Sequence, residues 1–169
     1  MFSVLFPGQG SQSVGMGKIM YQNFDYVKSL FEKADDILQK PLSKIILEGP
    51  KELIDQTENT QPAIFLISYT ICEVIKKETS FNLNEASFFA GHSLGEYSAL
   101  ACSGSLTFEQ TIKLLRMKER ISNTEIPEIK VVDMRNEFKT GNTKIFSREL
   151  LELISQLRVK NEQGIILIP

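Results

Sequence analysis

Apolar positions along the chain recur at two different periods, and the switches between them predict an alternating series of strands and helices. Phe2-Ser3-Val4-Leu5-Phe6 is short and almost wholly apolar, which predicts a buried strand, and Pro7-Gly8-Gln9-Gly10-Ser11-Gln12 reads as the loop at its C-terminal end. Phe24, Val27, Phe31, Ala34 and Leu38 return every three or four residues, so residues 23–39 predict an amphipathic helix, stopped by Pro41. Gln61-Pro62 opens a second helix with proline in its first turn. Ala63 through Ile75 is so apolar that it predicts burial on most sides, with a strand as the competing assignment. Phe88-Phe89-Ala90 predicts a strand that feeds a helix over Glu96–Ala101. Gly104 stops that helix, and Thr107 caps another that carries Ile112, Leu114 and Leu115 toward Arg120.

Beyond Ser122 the texture changes. Pro127 precedes a β-rich Ile129-Lys130-Val131-Val132, Lys139-Thr140-Gly141-Asn142 predicts a turn, Ser147 caps a helix, and a strand-like Ile165 to Ile168 follows. The division is therefore 1–121 and 122–169. Nothing repeats internally, and no segment is low in complexity.

Composition narrows the classes. With 169 residues, 42% of them hydrophobic, the chain can bury a core as one soluble domain. A net charge of -2 from 19 basic and 21 acidic residues creates no field that draws nucleic acid or an anionic membrane. Cys72 and Cys102 lie in apolar helical stretches and read as buried reduced thiols, not as a disulfide or a metal site. No apolar run reaches the length of a membrane span, and Met1-Phe2-Ser3 lacks the basic start of a signal peptide, so a cytoplasmic protein is expected. The glycine-rich opening fits no nucleotide motif. Ser13 stands where a dinucleotide fingerprint needs its third glycine, and Met16 where a phosphate loop needs lysine.

Candidate chemistry sits at Gly91-His92-Ser93-Leu94-Gly95, a G-x-S-x-G elbow with a strand before it and a helix after it. Ser93 is the expected nucleophile. At the helix N-terminus the free Leu94 N–H can stabilise a developing oxyanion, and the first loop is expected to bring the Gln9 N–H as a second donor. That arrangement suits acyl transfer from a thioester or ester. A serine hydroxyl needs a base, yet the chain has one histidine, His92, next to Ser93. On a tight turn its ring diverges from the hydroxyl and packs beside the elbow.

Three segments taken in order, Phe6-Pro7-Gly8-Gln9-Gly10-Ser11-Gln12, Asn59-Thr60-Gln61-Pro62-Ala63 and Gly91 through Leu100, resemble the malonyl-CoA:acyl-carrier-protein transacylases. The resemblance covers about residues 1–121. It implies an α/β-hydrolase-like acyltransferase domain, here incomplete, followed by a strand and helix tail. It also implies that Ser93 takes malonyl from coenzyme A as an ester and passes it to the phosphopantetheine thiol of acyl carrier protein, with no cofactor or metal. Gln9 and Leu94 match the oxyanion-hole positions. His92 matches a residue beside the nucleophile. The family's catalytic histidine lies later in the domain, and this sequence has no later histidine.

The family's malonyl-gripping arginine aligns with Lys118, a point charge where a planar fork is usual. Arg116 or Arg120 takes that role in another helix register, and solvated helix charges are the competing reading of all three. The tail, from Pro127 through Arg135 and on to Leu167, resembles a fragment of the primosomal replication helicase without its nucleotide loop. The resulting expectation is a truncated or fused S-malonyltransferase of fatty-acid synthesis with impaired activity. The alternative is a non-catalytic remnant that at most binds acyl carrier protein or coenzyme A. A hydrolase on the same elbow would use Asp133 but lacks a following histidine, and the mixed charge of the tail argues against nucleic acid.

Overall fold

The structure is a computed structural model that describes residues 2–122 and 165–167, with side chains for 2–116. β1 (Ser3–Phe6) is the central strand of a parallel sheet, with β2 (Phe88–Gly91) on one side and β3 (Ile165–Leu167) on the other. Phe6 stands in register with Gly91, which sets the C-terminal ends of β1 and β2 side by side. Seven α-helices accompany the sheet among the described residues: α1 (Lys18–Asn23), α2 (Asp25–Leu38), α3 (Leu42–Glu48), α4 (Lys51–Ile54), α5 (Thr57–Glu78), α6 (Leu94–Cys102) and α7 (Phe108–Ser122). The expected strand near the C-terminus is present as β3. The strand expected at 129–132, the turn at 139–142 and the helix capped by Ser147 lie outside the described residues.

Burial alternates along β1. Val4 and Phe6 are buried against Cys72, Leu83, Ala99 and Cys102, while Ser3 and Leu5 stay half-buried. Among the described residues the strand thus packs fully on one face, where its apolar run predicts two, because successive side chains point to opposite faces and α5 and α6 cover only one of them.

α2 matches its sequence pattern closely. Val27, Phe31, Ala34 and Leu38 form its buried stripe, and Phe24, at φ -129°, sits just before the first turn. α5 is a helix throughout, which rules out the strand assignment, and it starts five residues before Pro62. A proline at that depth removes the N–H that the Glu58 carbonyl would accept. Lys40 Nζ donates to that carbonyl at 2.9 Å, so the freed group is satisfied and the helix continues through the proline.

α5 is buried on most sides because it lies between the sheet and a second layer. Ile64, Phe65 and Leu66 join Phe31, Ile112 and Leu115 in one core built with α2 and α7. Gly104 takes φ +83° after α6. Thr107 and Gln110 cap α7 reciprocally, side chain to backbone, at 3.2 and 2.9 Å. Cys72 and Cys102 are free and buried. A hydrogen bond with Cys72, and then burial, hold the Cys102 thiol well above its usual range, which keeps it an unreactive core group.

Candidate active site

β2 ends at Gly91 and α6 begins at Leu94, so His92 and Ser93 alone make the turn. Ser93 adopts φ 55° and ψ -107°, a conformation that costs a non-glycine residue roughly 1–3 kcal/mol. The turn is tight in its backbone. A Cβ added at Gly91 would stand 2.0 Å from the Gly95 carbonyl carbon, and one added at Gly95 would stand 2.3 Å from the Phe6 carbonyl oxygen. The two motif glycines therefore let α6 rest directly on the ends of β1 and β2. The outcome is an exposed Ser93 next to a buried Leu94.

The backbone around the serine is partly committed. Gly95 N–H donates to the His92 carbonyl at 3.0 Å and Glu96 N–H to the Ser93 carbonyl at 3.2 Å. Leu94 N–H occupies the first helical position, where no intrahelical acceptor exists. Gly8 packs against His92: a Cβ there would stand 3.0 Å from the His92 carbonyl oxygen and 3.4 Å from Nδ1. The first loop thus lies against the elbow. Among the described residues no hydrogen bond joins His92 to the Ser93 hydroxyl, and His92 is exposed.

That loop carries Gln9, exposed, with its side-chain amide 3.4 Å from Thr57 Oγ1. Ser11 Oγ donates to the Gly8 carbonyl at 3.1 Å, and Gly10 N–H donates to Gln12 Oε1 at 2.9 Å. Gln12 Nε2 in turn donates to Asp55 Oδ1 at 2.9 Å, and Lys51 pairs with the other oxygen of that carboxylate. The Lys51 hydrogen bond, followed by that of Gln12, holds the Asp55 carboxyl below its ordinary value of 3.8. Sequence reading missed this network. Gln12 and Asp55 stand 43 positions apart, and no periodicity connects them.

Of the three candidate cations, Lys118 and Arg120 take backbone positions in α7, and their side chains lie outside the described residues. Arg116 makes a contact that neither of its readings included. Its Nη1 donates to the Ile37 carbonyl at 2.9 Å, an acceptor in the last turn of α2 that has no partner within its own helix. The half-buried guanidinium thus joins two helices. Arg116 and Leu115 also edge a small cleft with Thr57, Gln61 and Pro62, whose volume of about 10 Å³ is far below that of a ligand pocket. Arg116→Ala is expected to cost about 1 kcal/mol in urea denaturation, while acylation of Ser93 stays within about twofold. A larger loss of acylation than of stability would return Arg116 to the site. Among the described residues no group of three or more His, Cys, Asp or Glu side chains could hold a metal ion.

A strand-to-helix elbow with a strained serine between two contact glycines is the setting in which G-x-S-x-G serves acyl chemistry, and comparison with known proteins agrees. Residues 4–129 match the sequence profile of the acyl transferase domain. The chain belongs to that family. A malonyl CoA-acyl carrier protein transacylase of Bacillus subtilis (strain 168) is 42% identical over 123 residues, covering 73% of this chain and 38% of the relative. The Haemophilus influenzae protein of the same name is 39% identical over 127 residues, covering 75% and 40%.

Solved family structures agree in fold. The acyl-carrier-protein-S-malonyltransferase of Bartonella henselae superposes with a TM-score of 0.68 at 38% identity, covering 75% of this chain and 40% of that one. A malonyl-transacylase solved in complex with its type II PKS acyl-carrier protein gives 0.67 at 38% identity, with the same coverage. The described residues therefore have the acyltransferase α/β fold. The chain spans 30% and 38% of the length of two of its curated relatives.

Proposed function

We propose that this chain carries the nucleophile-bearing part of an acyl-carrier-protein S-malonyltransferase of fatty-acid synthesis. The observation that carries this reading is the strained, exposed Ser93 at the N-terminus of α6, with the Gly8 loop packed against the same turn. Ser93 Oγ attacks the malonyl thioester carbonyl; the carbon–sulfur bond breaks, and coenzyme A leaves as its thiol. The phosphopantetheine thiol of acyl carrier protein then attacks the acyl-serine and releases Ser93. Both tetrahedral intermediates carry an oxyanion, for which the Leu94 and Gln9 N–H groups are the donors. His92 flanks the nucleophile, and Lys118 supplies a point charge for the malonyl carboxylate. This chemistry uses malonyl-CoA and the carrier protein as substrates, with no cofactor or metal.

Residues 1–121 form the acyltransferase part in this reading. The stretch from 122 to 169, similar in its later portion to a helicase fragment, adds neither chemistry nor nucleic-acid binding. The setting is the cytoplasm, and among the described residues no helix is long and apolar enough to cross a membrane. A second reading, favoured by the single histidine, is a non-catalytic remnant that binds carrier protein or coenzyme A.

Intact-mass measurement after incubation with malonyl-CoA tests the assignment. A malonyl adduct is expected on the full chain and not on Ser93→Ala. An adduct of equal extent on Ser93→Ala would remove Ser93 from the mechanism. Tight carrier-protein binding with no adduct on either chain would establish the remnant reading.

A further inference from the structure

A peptide unit is planar and trans, so the direction of one carbonyl fixes the opposite direction of the next residue's N–H. Two such units flank Gln9, and side chains of the same loop grip both. The Gly8 carbonyl accepts from Ser11 Oγ at 3.1 Å, and it shares a plane with the Gln9 N–H. The Gly10 N–H, in the plane that begins with the Gln9 carbonyl, donates to Gln12 Oε1 at 2.9 Å. The far end of the Gln12 amide is pinned in turn, through Asp55, to the Lys51 ammonium on α4.

We propose that Ser11 and Gln12 are positioning residues that set the two peptide planes on either side of Gln9, with Asp55 and Lys51 anchoring Gln12 to the helical layer. The assignment rests on the reading of Ser93 as nucleophile and Gln9 as oxyanion donor. It adds why the loop needs these side chains: Gln9 is exposed, and the backbone of an exposed loop does not hold an N–H in one direction unaided. A hydroxyl at 11 and an amide at 12 give one donor to a carbonyl and one acceptor to an N–H, which the two planes require. The amide also keeps a donor for the Asp55 carboxylate.

The full chain is tested with malonyl-CoA, following acylation of Ser93 by intact mass in imidazole buffer. Ser11→Ala and Gln12→Ala are each expected to slow acylation at saturating malonyl-CoA about three- to tenfold, with the half-saturating concentration unchanged. Gln12→Glu sets two carboxylates against each other and is expected to be slow as well. Adding Asp55→Asn reverses the polarity of the contact, so the double variant is expected to recover to within about twofold of the parent. Hydrogen exchange at the Gly10 amide reads the clamp without chemistry and is expected to quicken in Gln12→Ala. Unchanged exchange at Gly10 would overturn the clamp. Faster exchange with undiminished acylation in both alanine variants would overturn the positioning role. A parent chain that never acylates Ser93 would overturn the site reading and the role of these residues together, and this result differs from an active parent with indifferent variants.

Discussion

Gly91→Ala is expected to destabilise the fold by about 3 kcal/mol or more and to lower its melting temperature by about 10 °C. The added methyl group would sit 2.0 Å from the Gly95 carbonyl carbon, 2.1 Å from its oxygen and 2.5 Å from the Glu96 nitrogen. All three are backbone atoms of the first turn of α6, so no side-chain rotation relieves the collision. The helix cannot simply shift toward the sheet, because Gly95 already sits against the Phe6 carbonyl. It has to lift away from β1 and β2, taking Leu94 out of the core it shares with Phe65, and Ala99 and Cys102 out of the one they share with Val4 and Phe6. Gly10→Ala is the comparison that isolates this effect. It meets nothing within 4 Å and bears only the strain of φ +108°, about 1 kcal/mol. Urea denaturation of the three chains distinguishes them, and a Gly91→Ala variant within about 1 kcal/mol of the parent would mean that α6 is not held against the sheet as these contacts require.

How much of this was legible in the sequence depended on whether the physics was local. The α2 stripe was readable because one face of a helix meets one core, and so were the Thr107 cap and the Gly91–Gly95 elbow, whose causes lie within a few residues. α1, α3 and α4 were not foreseen. They are 6, 7 and 4 residues long, too short to display a period, and tertiary contact sustains them. The start of α5 was misplaced for a related reason: Pro62 reads as a first-turn residue until Lys40, from a distant segment, satisfies Glu58. At the candidate site, Ser93, Leu94 and His92 were located by motif. The partners of the Gln9 loop in α4 and after it, and the tie between Arg116 and Ile37, depend on folding that brings residues 43 and 79 positions apart together.

The full chain is expected to acylate Ser93 about 10²–10⁴-fold more slowly than a full-length relative, and to gain rate in proportion to added neutral imidazole. In the proposed reading the elbow offers two parts of the acyl-transfer machinery: an exposed Ser93 hydroxyl, and the Leu94 N–H at the start of α6, which has no intrahelical acceptor. Among the described residues no side chain accepts a hydrogen bond from the Ser93 hydroxyl. The sequence holds one histidine, and its Nδ1 stands 3.4 Å from where a Cβ on Gly8 would lie. Helix-end polarity stabilises negative charge once it has formed but does not remove the proton, so oxyanion binding and serine activation should separate in this chain. Dissolved imidazole supplies the acceptor without altering the protein, and Ser93→Ala must abolish the rescued adduct. Acylation at the rate of a full-length relative, with no response to added imidazole, would show that the chain supplies its own base.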